Sequence, residues 1–191
     1  MNDLNCLARW RALGLLALFI VSSVHGEPAC QVAKGRVNDI RLGAQVQAIH
    51  DILQKDFSVT EEARTRTLDP RVLVARENSS KKIWFYITVD GKERAVFMDA
   101  VGPCLTADGI GIGSTFGQAI KVYGRPKVSP SDVGYLITFD KLPGVAFLLN
   151  DQDIPENLRG IPDDVFKPEH RKELLKHRGA KIVAIQLYPE E

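Results

Sequence analysis

The sequence predicts an α+β fold: two tandem helix-then-antiparallel-strand units sharing one sheet, with the helices on one face. Three observations predict it. Val46, Ile49 and Leu53, and later Phe116, Ile120 and Tyr123, form apolar stripes at helical spacing. Each stripe follows a glycine-containing lead-in, Ile40-Arg41-Leu42-Gly43 or Ile110-Gly111-Ile112-Gly113. Each precedes a strand-like tetrad, Ile87-Thr88-Val89-Asp90 or Ile137-Thr138-Phe139-Asp140. Units at 35–105 and 106–191 are too short to bury much core alone, so joining their strands under a helical layer is the economical arrangement.

The elements follow in chain order. Arg9 and Arg11 precede the apolar run Ala12 to Val21, and small residues Val24 and Gly26 close it. That pattern reads as a cleaved secretory signal over residues 1–26, with Glu27 as the mature N-terminus. The run is about half the roughly 20 residues a membrane span needs, so no integral segment is expected after cleavage. Lipid attachment at Cys30 is the alternative, but Glu27 and Pro28 suit it poorly. The mature chain, 27–191, has the size of a single domain.

After the first helix, Ile83 to Val89 is β-branched and aromatic, followed by Asp90-Gly91 and then Arg94 to Met98. This predicts a hairpin, with Asp-Gly accepting the positive φ of a tight turn. Thr115 and Gln118 fit a capping box at the start of the second helix, and Gly124 with Pro126 ends it. Tyr135 to Phe139 and Val145 to Leu149 predict a second hairpin around Pro143-Gly144. Residues 151–162 read as loop, Pro168 to Arg178 as a charged helix stopped by Gly179, and Ile182 to Tyr188 as a last strand.

Composition narrows the function. Of 191 residues, 25 are Lys or Arg and 24 Asp or Glu, so there is no basic excess to favour nucleic acid or an anionic membrane. Cys6 leaves with the signal. Cys30 and Cys104 are then the only thiols, and in an oxidising compartment they are expected to form a disulfide. The chain is accordingly expected to be periplasmic or secreted.

No chemical constellation stands out. Gly109, Gly111, Gly113 and Gly117 lack the third glycine of a dinucleotide loop and the Gly-Lys-Ser/Thr of a phosphate loop. Asp151-Gln152-Asp153 runs into Pro155 where a calcium loop needs a ligand. His170, Glu173 and His177 are spaced more loosely than the His pair of zinc helices. His50-Asp51 has no nucleophile-elbow serine to activate. Asn78-Ser79-Ser80 is a glycosylation sequon. Catalysis, a cofactor and a metal are therefore not expected.

Strand alternation places Ile83, Phe85, Ile87 and Val89 on one side and Trp84, Tyr86 and Thr88 on the other. If helices cover one face, the second row is exposed, and Trp and Tyr are frequent anchors of protein interfaces. Trp84, Tyr86, Thr88 and Tyr188 are thus the expected partner-binding residues.

The second half, with Gly113-Ser114-Thr115, a helix ending at Tyr123-Gly124-x-Pro126, and strands at Tyr135 to Phe139 and Val145 to Leu149, resembles the BamE/SmpA outer-membrane lipoproteins. It is also similar to β-lactamase inhibitor proteins, which carry two such units. An exported, neutral, aromatic-bearing sheet with no reactive constellation favours a noncatalytic protein-binding module, an inhibitor or immunity-type partner of another envelope or secreted protein. An envelope assembly factor is the alternative, as is an enzyme or small-ligand carrier assembled from distant residues such as His50, Asp108 and Arg125. Fold alone does not decide among them.

Overall fold

A computed structural model describes residues 30–62 and 71–190. The expected signal at 1–26 lies outside them. Twelve strands dominate the described residues. Four short ones, β1 (Gln31–Ala33), β2 (Arg36–Val37), β3 (Ile40–Arg41) and β8 (Leu105–Thr106), form a small sheet in the order β3-β2-β1-β8. Its β1–β8 pair is parallel, with Gln31 opposite Leu105, which sets Cys30 beside Cys104. The two are disulfide-bonded, with Cα atoms 4.5 Å apart, and both are buried.

The larger sheet is antiparallel throughout. In chain order its strands are β4 (Phe57–Glu62), β5 (Arg71–Glu77), β6 (Ile83–Val89), β7 (Ala95–Ala100), β9 (Pro126–Ser131), β10 (Gly134–Phe139), β11 (Val145–Leu149) and β12 (Ile182–Leu187). In space they run β4-β5-β6-β7-β12-β11-β10-β9. The C-terminal strand therefore occupies the centre, between β7 and β11.

Alternation in these strands explains the core. Leu73, Ile87, Met98, Ile137, Phe147 and Ile185 are buried on one face, where they meet Ile49 and Leu53 of α1 (Val46–Leu53), Phe116 and Tyr123 of α2 (Phe116–Tyr123), and Leu174 of α3 (Pro168–Leu174). The Tyr123 ring lies 5.3 Å from Phe139 and 6.1 Å from Phe147. The ring is thus committed to packing, and its hydroxyl meets Thr106 Oγ1 at 2.6 Å. The capping box forms as the sequence predicts: Gln118 N donates to Thr115 Oγ1 and Thr115 N to Gln118 Oε1. That satisfies amides the first turn would otherwise leave free.

The predicted architecture is corrected. The chain is mainly β, with two sheets rather than one, and it is not a pair of helix-then-strand units. Each helix is only seven or eight residues long. Two physical causes hid the strands. β2, β3 and β8 have two residues each, too few to show a period. β4 and β9 are edge strands with polar or proline-containing sequences, so their exposed flanks blur the alternation.

Local expectations are corrected as well. The β6–β7 turn is longer than Asp-Gly requires. Asp90 Oδ1 accepts from the amides of Lys92 and Arg94, and the residue with positive φ is Glu93, at 59°. The charged helix ends at Leu174 rather than Arg178. Residues 151–162 form two 3-10 turns rather than plain loop, and they press buried Ile154 and Leu158 into the core. The Tyr135 hydroxyl donates to the Leu158 carbonyl.

Candidate functional site

The face of the large sheet opposite the helices is the candidate site. Strand pairing builds it row by row. Thr60, Val74, Tyr86, Asp99, Gln186, Ala146, Thr138 and Lys127 stand in register across all eight strands. Ala184, Leu148, Leu136 and Ser129 form a neighbouring row on the second half. Val72, Val74, Ala146 and Ala184 are buried here without joining the main core.

One cause of that burial is visible at the β4–β5 end. Arg76 Nη1 donates to Thr60 Oγ1 at 3.0 Å, and Nη2 donates to Glu62 Oε1 at 2.6 Å. Thr60 opposes Val74 and Glu62 opposes Val72, so the guanidinium and its two partners lie beside the valines and add to their cover. Nearby, Arg71 bonds Glu61 through Nε and Nη2 at 2.6 Å each and also pairs with Glu93. The Glu61 hydrogen bond holds the Arg71 guanidinium charged, and Arg71 holds the Glu61 carboxyl below its ordinary range.

The centre of the face is less covered. Tyr86, Asp99, Val101, Val133, Leu148, Ala184 and Gln186 line a shallow depression of about 220 Å³. Val133, in the β9–β10 turn, is 63% exposed at its rim. The lining is largely apolar, with a phenol, a carboxylate and an amide as its polar groups. Such a surface can accept an apolar side chain and orient polar atoms around it.

The expected binding residues separate. Tyr86 and Thr88 lie half-buried on this face. Trp84 does not join them; it is 8% exposed and belongs to the core. The cause is a bulge. Ala75 pairs with Phe85 but Arg76 with Ile83, so Trp84 is an extra residue and the alternation breaks. Its ring packs edge-on against Phe57 at 5.4 Å and closes over Gly102. Tyr188 follows β12, half-buried. Burial pushes its phenol pKa up, while the Lys127 charge opposes that shift.

The alternative residues come from separate elements. Asp108 is exposed and reaches toward Tyr123, and Arg125 lines another depression with Lys127, Asp140 and Arg171. His50 sits on α1 with its carbonyl accepting from Gln54 N. His170 Nδ1 accepts from Lys167 N, whereas His177 lies 3.7 Å from Glu173. Among the described residues, no three His, Cys, Asp or Glu side chains converge as metal ligands would.

Sequence reasoning missed Asp99, Val101, Val133, Leu148, Ala184 and Gln186. Outward alternation in β11 and β12 marks Leu148, Ala184 and Gln186 as surface positions. Their meeting with Tyr86 depends on β12 pairing with β7, which no local pattern encodes.

No protein-family model matches the chain, and no curated protein matches it. One solved structure is similar: the crystal structure of the uncharacterized protein yfeY from Escherichia coli. The likeness covers 83% of this chain and 99% of that one, with a TM-score of 0.58 and 13% identity. It establishes a shared fold.

Proposed function

We propose that the chain is an exported, noncatalytic binding module, periplasmic or secreted, whose open sheet face docks another protein as an inhibitor or immunity-type partner does. The observation that carries this reading is the central depression, lined by Tyr86, Leu148 and Val133 together with Asp99 and Gln186, on the sheet face opposite the helices. Aromatic and aliphatic anchors framed by a few polar groups are the usual make-up of interface centres. A buried disulfide is compatible with an oxidising compartment, and no helix among the described residues is long and apolar enough to cross a membrane. Envelope assembly would use the same face on a different partner.

The test is site-specific photocrosslinking of the exported protein in its native compartment. A photoreactive residue replaces Tyr86, Gln186 or, as an exposed control on α3, Lys172. Support is one discrete protein adduct shared by the first two positions and absent from the third. No adduct from the sheet positions, or the same products from all three, overturns the reading.

A further inference from the structure

A second surface differs in chemistry from the sheet face. Where α2 turns into β9, Arg125 projects at the corner, followed by Pro126 and Lys127. Arg171 approaches from α3, and Asp140 from the end of β10. Together with Leu175 they line a depression of about 300 Å³. Three cations face one carboxylate, giving the lining a charge of +2 on a chain whose formal net charge is only +1.

The cations are not equally engaged. Lys127 Nζ meets Asp140 Oδ1 at 2.6 Å, with both side chains more than two-thirds exposed. Such a pair contributes little, so Asp140 is easily displaced. Among the described residues, neither the Arg125 nor the Arg171 side chain makes a hydrogen bond or ion pair. Two uncommitted guanidiniums offer planar donor forks, which match the oxygens of a phosphoryl group in shape and charge. Pro126 and Leu175 supply an apolar flank that inorganic ions do not need but an esterified carrier can cover.

We propose that this corner binds a phosphomonoester, with Arg125 and Arg171 gripping the phosphoryl oxygens and Lys127 exchanging Asp140 for the ligand. A dianion fits a +2 lining better than a single carboxylate does. The phosphoryl group could be carried by a small soluble ester or by a lipid, and the experiment separates these sources.

Inorganic phosphate and glycerol phosphate are titrated into the mature protein at physiological ionic strength, followed by NMR of the arginine side chains. Saturable binding is expected, and Arg125→Gln or Arg171→Gln should each weaken it about tenfold, as loss of one charge-assisted contact would. Asp140→Asn should tighten it. Asp132→Asn, the same charge change in the β9–β10 turn, should leave it unaltered. Flotation with phosphatidic-acid vesicles, against phosphatidylcholine vesicles, assigns a lipid source if Arg171→Gln abolishes it; binding of glycerol phosphate without flotation assigns a soluble one. Equal thermal unfolding of the variants shows that each is folded. Absence of saturation by either phosphate, unchanged binding in both arginine variants, or equal effects of the two aspartate changes overturns the proposal.

Discussion

Gly102→Ala probes the packing of Trp84 more sharply than removing the tryptophan does. A methyl at position 102 would stand 2.5, 2.6 and 2.9 Å from Cδ2, Cγ and Cε3 of the indole. Neither partner can easily retreat. Phe57 and Phe85 hold the ring at 5.4 and 6.3 Å, and the amides of Val101 and Gly102 both donate to the Trp84 carbonyl. Overpacking of this kind costs about 1–3 kcal/mol. Trp84→Ala should cost about 3–5 kcal/mol, because it empties a buried site. Combining them removes the collision, so the double variant should be no less stable than Trp84→Ala alone, a coupling of about 1–3 kcal/mol. Urea unfolding of the four proteins measures this, with equal m-values required for the comparison. Additivity within about 0.5 kcal/mol, or a Trp84→Ala loss as small as a surface change, would refute the buried assignment.

Two further outcomes are expected. Cys30 and Cys104 should be unreactive to thiol reagents in the denatured, unreduced protein; opening their bond, which spans a sequence separation of 74, should remove roughly 4 kcal/mol of stability, read as the urea midpoint with and without reductant. The Asp90 carboxyl is held below its ordinary pKa by the Arg94 backbone and side chain, so its contribution is present above the unfolded-state pKa and is lost as pH falls through the lower folded-state value; Asp90→Asn should therefore lose less stability on acidification than the natural chain, and an unchanged acid profile would contradict this.

The parts of the fold legible in the sequence were those fixed by near neighbours. Helical stripes placed α1 and α2, because burial of one side of a two-turn helix needs only residues three and four apart. Thr115 and Gln118 marked the start of α2 because a capping box is closed within four residues. The strands β6, β7, β10, β11 and β12 were visible through β-branched composition. What stayed hidden depends on distant pairing. The placement of β12 between β7 and β11 rests on contacts such as Ile185 with Ala100 and with Phe147, and it alone brings Gln186 beside Asp99. Trp84 was misplaced because a strand read alone keeps strict alternation, whereas the bulge opposite Ala75 and Arg76 exists only in the pair. At the corner between α2 and β9, Arg125 was named without its companion Arg171, which arrives from a separate helix.

The central position of β12 has a kinetic consequence. In a chain delivered N-terminus first, β7 and β11 are complete while the strand that will join them is still to come. Each then presents an unsatisfied edge, the condition that invites pairing with other chains. Closing the sheet means bringing residue 185 against residue 100, a distant contact of the kind that slows folding. Residues 182–187 thus act as the fastener of the whole sheet. Loss of Ile182 to Leu187 would leave two half-sheets with bare inner edges, so deleting this one strand should be far more damaging to solubility than its length suggests.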